Sequence, residues 1–318
     1  MQAKHSPRVR LLAPSGYPHD REAMARGVER LLEAGCEVER LDVLERTELR
    51  YAGSDAERAA DLNALATLDT LPDIALAIRG GYGATRLLEH LHYDVLCERL
   101  AGEPIVLVGH SDFTAVQMAL HARAGLVSFG GPMLGPDFGA ADFSEFTWKH
   151  FWRTIGAAHG SAEWDCGETV ACDVQGPLWG GNLAMLCSLL GTPYFPSIEG
   201  GILFVEDVSE PPFRIERLLY QLHLSGVLSR QRAVLLGDFT LCRASAYDNG
   251  YGLEAGFAQL RQFAGIPVIA GLPFGHAPDK FTLPFGAPAR LRVADGRAAL
   301  SFTDYPHLAH SNLPGDAL

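Results

Sequence analysis

The chain has 318 residues, 47% hydrophobic and 20% charged, an ordinary globular composition with room for one large domain or two medium ones. Its net charge of −12, with lysines and arginines scattered and never in a run, argues against nucleic acid and anionic membrane as partners. The longest apolar stretches, 105–108 and 202–205, are strand-length, far short of the ~20 residues of a spanning helix.

The N-terminal segment MQAKHSPRVR is polar and lacks the apolar core of a signal peptide, so the cytoplasm is the expected location. Residues 9–13 (VRLLA) read as a buried strand ending at Pro14-Ser15-Gly16. Met24, Val28, Leu31 and Leu32 recur at helical spacing, with Gly35 as the stop. A second strand is expected over 36–41 and a helix over 55–68. Residues 73–78 (DIALAI) form another buried strand and run into Arg79-Gly80-Gly81-Tyr82-Gly83. A helix over 84–91, a strand over 104–109 and a helix marked by Phe113, Val116 and Leu120 follow. Strands separated by helices predict an α/β fold, a doubly wound parallel sheet, with ligands at the carboxyl ends of the strands.

From about residue 135 the pattern changes. Residues 136–176 read as an irregular connection carrying Trp148, Trp152 and Trp164. The expected organisation is therefore an N-terminal domain over 1–135, this connection, and a smaller mixed β-rich domain over 177–318. In the last, strands are expected at 201–206, 233–237 and 268–272, and helices around 215–222 and 253–264. A hairpin should turn at Asp295-Gly296. The six cysteines include no C-x-x-C pair and read as reduced, mostly buried thiols.

The chemistry concentrates at Val106-Leu107-Val108-Gly109-His110-Ser111-Asp112. A buried strand running into G-x-S with a helix directly after it is the layout of a nucleophile elbow, although the second glycine of G-x-S-x-G is absent. A serine nucleophile needs a base and an orienting carboxylate. Of twelve histidines, His276 follows a buried strand in Pro273-Phe274-Gly275-His276, a rigid way to deliver an imidazole. His110 is adjacent to the serine and points the other way. His90 and His92 form H-x-H without an evident third ligand, so no metal site is expected. Glu206 ends the apolar run 202–205, where a carboxylate needs a partner; Glu210 and Glu216 are its rivals. The Asp112 N–H and the glycine loop, foremost Gly81, are candidate oxyanion donors.

Six segments together resemble the LD-carboxypeptidase (muramoyltetrapeptide carboxypeptidase) family of serine peptidases: LLAPSGYP (11–18), RGGYGATRLL (79–88), GHSDFTA (109–115), LWGGNLAMLCSLLGTPY (178–194), ILFVEDVSEPPFRIERLL (202–219) and GLPFGH (271–276). The resemblance implies a metal-free Ser-Glu-His triad at Ser111, Glu206 and His276, with no cofactor. It implies an N-terminal domain like the class I glutamine amidotransferases and a homodimer. It also implies release of D-alanine from murein tetrapeptides, by cleavage after the L-centre of meso-diaminopimelate, in peptidoglycan recycling. Such an exopeptidase must read a free carboxylate, for which Arg79 is the first candidate, then Lys280 and Arg214. Asn182 is either a helix cap or a substrate contact. The rival readings are a peptidase of peptide–nucleotide antibiotics, a glutaminase-type amidotransferase, which would need cysteine at position 111, and a non-catalytic muropeptide-binding protein.

Overall fold

The computed structural model describes residues 6–167, 170–308 and 313–314. Its first half alternates strand and helix: β1 (Arg8–Leu12), α1 (Arg21–Glu33), β2 (Glu37–Glu39), α2 (Asp55–Asn63), β3 (Ile74–Ala77), α3 (Tyr93–Leu100), β4 (Val106–Gly109), α4 (Thr114–Ala124) and β5 (Ser128–Gly130). α1 begins where the Asp20 carboxylate accepts the Ala23 N–H. α2 begins at a reciprocal cap, in which Ser54 and Glu57 each accept from the other's backbone. β3 and β4 are buried at every position, as strands covered on both faces must be.

The stretch 136–176, expected to be an irregular connection, instead builds α5 (Glu145–Ile155), β6 (His159–Asp165) and the start of β7 (Cys172–Asn182). Trp148, Phe151, Trp152 and Ile155 recur three and four residues apart and are all buried, and that apolar stripe makes the helix. Then come α6 (Leu183–Ser188), β8 (Ile202–Val208), α7 (Pro212–Leu224), β9 (Ala233–Thr240), α8 (Leu253–Ala264), β10 (Val268–Ile269), β11 (Leu283–Phe285), β12 (Pro288–Ala294) and β13 (Arg297–Thr303). The strand expected over 268–272 is regular only at Val268 and Ile269; the Leu272 N–H still donates to the Leu236 carbonyl of β9 at 3.1 Å, and the loop that carries His276 follows. Asp295 and Gly296 turn the β12–β13 hairpin with φ of +52° and +76°, the conformation of a type I′ turn.

Two sheets result. The first has the order β11-β5-β4-β3-β1-β2 and is parallel except for the β11/β5 pair. The second has the order β10-β9-β8-β7-β12-β13-β6. β7 joins its two characters: residues 172–177 pair antiparallel with β12, and residues 178–182 pair parallel with β8. β11 comes from the C-terminal segment yet closes the first sheet. Both apolar cores draw on both sheets, one through Leu12 and Leu203, the other through Val108 and Phe204. The carboxyl ends of β4, β8 and β9 thereby meet. Among the described residues, no helix is long and apolar enough to cross a membrane.

Candidate active site

β4 ends at Gly109, and His110 stays extended. Ser111 then takes a left-handed φ of +61° before a single tight turn leads into α4. That conformation costs a non-glycine residue about 1–3 kcal/mol, and such strain marks a nucleophile elbow. The glycine loop lies directly against it. A Cβ added to Gly80 would stand 2.8 Å from both Cβ and Oγ of Ser111, so only glycine allows this approach. The Asp112 carboxylate accepts the Ala84 N–H at 2.8 Å, fastening the end of the glycine loop to the elbow.

His276 reaches the serine from the loop after β10. Its Nε2 lies 3.0 Å from Ser111 Oγ, and its Nδ1 lies 2.7 Å from Glu206 Oε2. Glu206, on β8, is fully buried. The register between β8 and β9 slips there: Val205 faces Leu236 and Asp207 faces Phe239, so Gly237 and Asp238 together oppose Glu206. Such bulges re-aim side chains next to active sites. The Asp238 N–H donates to the Phe274 carbonyl at 2.8 Å, tying the histidine loop to the bulge.

Asn182 is a brace. Its Oδ1 accepts the Met185 N–H at the start of α6, while its Nδ2 donates to Glu206 Oε1 (3.2 Å) and Asp207 Oδ1 (3.0 Å). Its own N–H donates to Thr114 Oγ1 at 3.1 Å, three residues after the serine. A substrate contact is therefore corrected to a cap and hydrogen-bond bridge, because its side chain is buried and its polar atoms are engaged. Lys280 is not available to a substrate either: its ammonium is buried, ion-paired with Asp137 and bonded to the Ala277 carbonyl. Arg214 pairs with Glu210 at 2.9 Å on α7, away from the cleft, and Glu216 accepts the Tyr251 hydroxyl.

Arg79 does face the cleft, a hollow of about 400 Å³ that Ser111, Gly80, Gly81, Met133 and His276 also line. One of its nitrogens donates to the Tyr17 carbonyl at 2.8 Å. Among the described residues no acidic side chain pairs with this half-buried guanidinium, and burial lowers its pKa. A partly desolvated cation beside Ser111 suits an incoming carboxylate. Gly81 lines the same hollow, and the Asp112 backbone nitrogen stands 3.4 Å from where a Cβ on Gly80 would lie. Sequence reasoning assigned no role to Asp137, in the 134–138 turn, or to Asp238, in the bulge of β9, because no motif announces either; Thr114, the first residue of α4, lay inside a motif already noted but was given no part in the site.

Burial pushes the His276 pKa down, but the Glu206 charge and hydrogen bond, joined by Asp137, outweigh it, and the net direction is up. His110, wholly buried, is driven down to about 4 and stays neutral. Burial pushes both Asp207 and Asp238 up to about 6. A base must be unprotonated to act, so the acidic limb of the kcat/KM profile should lie above the ordinary imidazole value of about 6.5. A pH–rate profile checks this, and a limb below that value would contradict it. The folded state holds the His276 proton more tightly than the unfolded chain, so this contribution to stability is present at low pH and is lost as pH rises through the raised pKa.

Fold and site together define a serine-type hydrolase. The LD-carboxypeptidase N-terminal domain matches residues 9–131 and the LD-carboxypeptidase C-terminal domain matches residues 175–291, and the chain belongs to the LD-carboxypeptidase family. It is similar to the crystal structure of a muramoyltetrapeptide carboxypeptidase from Oxalobacter formigenes, with 44% identity and a TM-score of 0.87 over 94% of this chain and 99% of that one. The murein tetrapeptide carboxypeptidase of Pseudomonas aeruginosa is 33% identical over 77% of this chain and 81% of its own. The microcin C7 self-immunity protein of Escherichia coli is 28% identical over 82% of this chain and 83% of its own.

Proposed function

We propose that the protein releases D-alanine from murein tetrapeptides by hydrolysing the bond after the L-centre of meso-diaminopimelate. The observation that carries the proposal is the relay Ser111–His276–Glu206, at 3.0 and 2.7 Å, opening on a cleft that holds an unneutralised arginine. Ser111 Oγ attacks the scissile carbonyl while His276 Nε2 takes its proton. Glu206 accepts the Nδ1–H and so fixes the tautomer and balances the imidazolium. The N–H groups of Gly81 and Asp112 receive the oxyanion. When the C–N bond breaks, His276 returns the proton to the amine of D-alanine, and water then releases the acyl group with His276 again as base.

Purified protein should release D-alanine from L-Ala-γ-D-Glu-meso-diaminopimelate-D-Ala with EDTA present, followed by mass spectrometry. Release confined to a peptide–nucleotide substrate would move the assignment toward the chemistry of the microcin-immunity relative. Tight binding without turnover would leave a muropeptide-binding protein.

Arg79 reads the terminal carboxylate in this proposal. Arg79→Met should lower kcat/KM about 10- to 100-fold, mostly through KM, as expected for one lost charge-assisted contact. A tetrapeptide amidated at its C-terminus should be insensitive to the substitution, and equal losses on both substrates would exclude this role. The proposal extends to a homodimer acting in the cytoplasm on recycled peptidoglycan fragments. Sedimentation of the purified protein and fractionation of cells check those two points.

A further inference from the structure

His276 sits on an irregular stretch between β10 and β11. A base on such a loop needs fixing to better than an ångström, because a misplacement of about 1 Å can cost 10²-fold in rate. Glu206 fixes only the imidazole. The backbone behind it is held from a different direction, by groups the mechanism does not use.

Lys280 and Asp137 form an ion pair whose side chains are 1% and 5% exposed. The ammonium also donates to the carbonyl of Ala277, the residue after His276, at 2.8 Å. The Lys280 N–H donates to Thr147 Oγ1 at 2.9 Å, and that hydroxyl donates to the Pro278 carbonyl at 2.6 Å. Three points of the loop are thus tied to the 134–138 turn and α5. Asp137 is in turn fixed by the Met133 N–H at 2.7 Å. Between this cluster and the base lies His110. Its Nδ1 is bonded to the Gly131 carbonyl at 3.0 Å, and its ring meets that of His276 edge-on at 5.1 Å.

A buried ion pair gives a fold little net stability; replacing both partners by neutral or apolar groups is often harmless, whereas removing one is not. Stability alone therefore leaves this pair unexplained. We infer that the Asp137–Lys280 pair, with Thr147, is a positioning device that clamps the 276–280 loop and holds the imidazole on Ser111. These residues touch neither substrate nor the reacting atoms; they act through His276. The other titratable groups around the base are Glu206 on β8, Asp238 on β9, Asp279 on its own loop and His110 at the elbow.

The inference rests on Ser111 and His276 acting as nucleophile and base. It is tested by the rate at which a fluorophosphonate labels Ser111, which needs an activated serine but no peptide substrate. Melting temperature and the kcat and KM for tetrapeptide are read alongside. Asp137→Asn and Lys280→Met should each label about 10- to 100-fold more slowly and melt lower. The double variant should regain the melting temperature, since no lone buried charge remains, but stay slow, with kcat reduced and KM within about threefold of wild type. Thr147→Val, which keeps the pair, should also be slow. A double variant or Thr147→Val that labels at the wild-type rate would overturn the positioning role alone. Wild type that labels no faster than Ser111→Ala would overturn the nucleophile assignment as well.

Discussion

Ser111→Ala should lower D-alanine release by roughly 10⁴- to 10⁶-fold while leaving the melting temperature nearly unchanged. Among the described residues, the hydroxyl is the group of the cleft placed both to attack a carbonyl and to pass its proton to His276, 3.0 Å away. Removing it deletes the covalent step and leaves only binding and the oxyanion donors, which by themselves retain a small residual rate. The fold should tolerate the change, because alanine keeps the Cβ that packs on Gly80 and meets the same left-handed backbone. Rate and thermal melt are measured on the same preparation. A variant that still turns over at a tenth of the wild-type rate would remove Ser111 from the reaction.

Glu206→Gln should cost about 10⁴-fold in kcat, by analogy with the loss of the orienting carboxylate in other serine triads. The carboxylate is fully buried and receives both His276 Nδ1–H and Asn182 Nδ2–H. An amide cannot accept from both through its two atoms. If its oxygen faces Asn182, its NH₂ faces His276 and selects the wrong tautomer; if it is turned around, two donors oppose each other at Asn182. Neither orientation supplies the negative charge that raises the His276 pKa, so the acidic limb of the residual activity should move to lower pH. Glu210→Gln is the matched control: its carboxylate pairs with Arg214 on α7, and its loss should leave kcat near wild type. Equal effects at the two positions would contradict the role given to Glu206.

The elements that place the triad were legible because each ends a short, wholly apolar strand or follows one. Apolar runs at 74–78, 105–109 and 202–205 are buried at every position, and chemistry-bearing residues stand where those runs stop. What stayed hidden is what depends on distant partners. Nothing near Asp137 in the chain announces that Lys280 neutralises it, since 143 residues separate them. Lys280 therefore read as an available cation. The slip in register opposite Glu206 is likewise invisible, because Gly237 and Asp238 are unremarkable at a strand end. The 136–176 stretch misled for another reason. The buried stripe of α5 is flanked by glycine- and proline-rich chain, and the turn chemistry masked four apolar positions at helical spacing.

The crossing of β11 into the first sheet has a thermodynamic consequence. Neither half of the chain can close its own sheet or core: the first lacks an edge strand without Leu283–Phe285, and both apolar clusters take residues from either side. Melting should therefore be one cooperative transition, with the calorimetric and van't Hoff enthalpies in agreement. No intermediate with one half intact should accumulate, and enzymatic activity should vanish along the same curve as ellipticity rather than ahead of it.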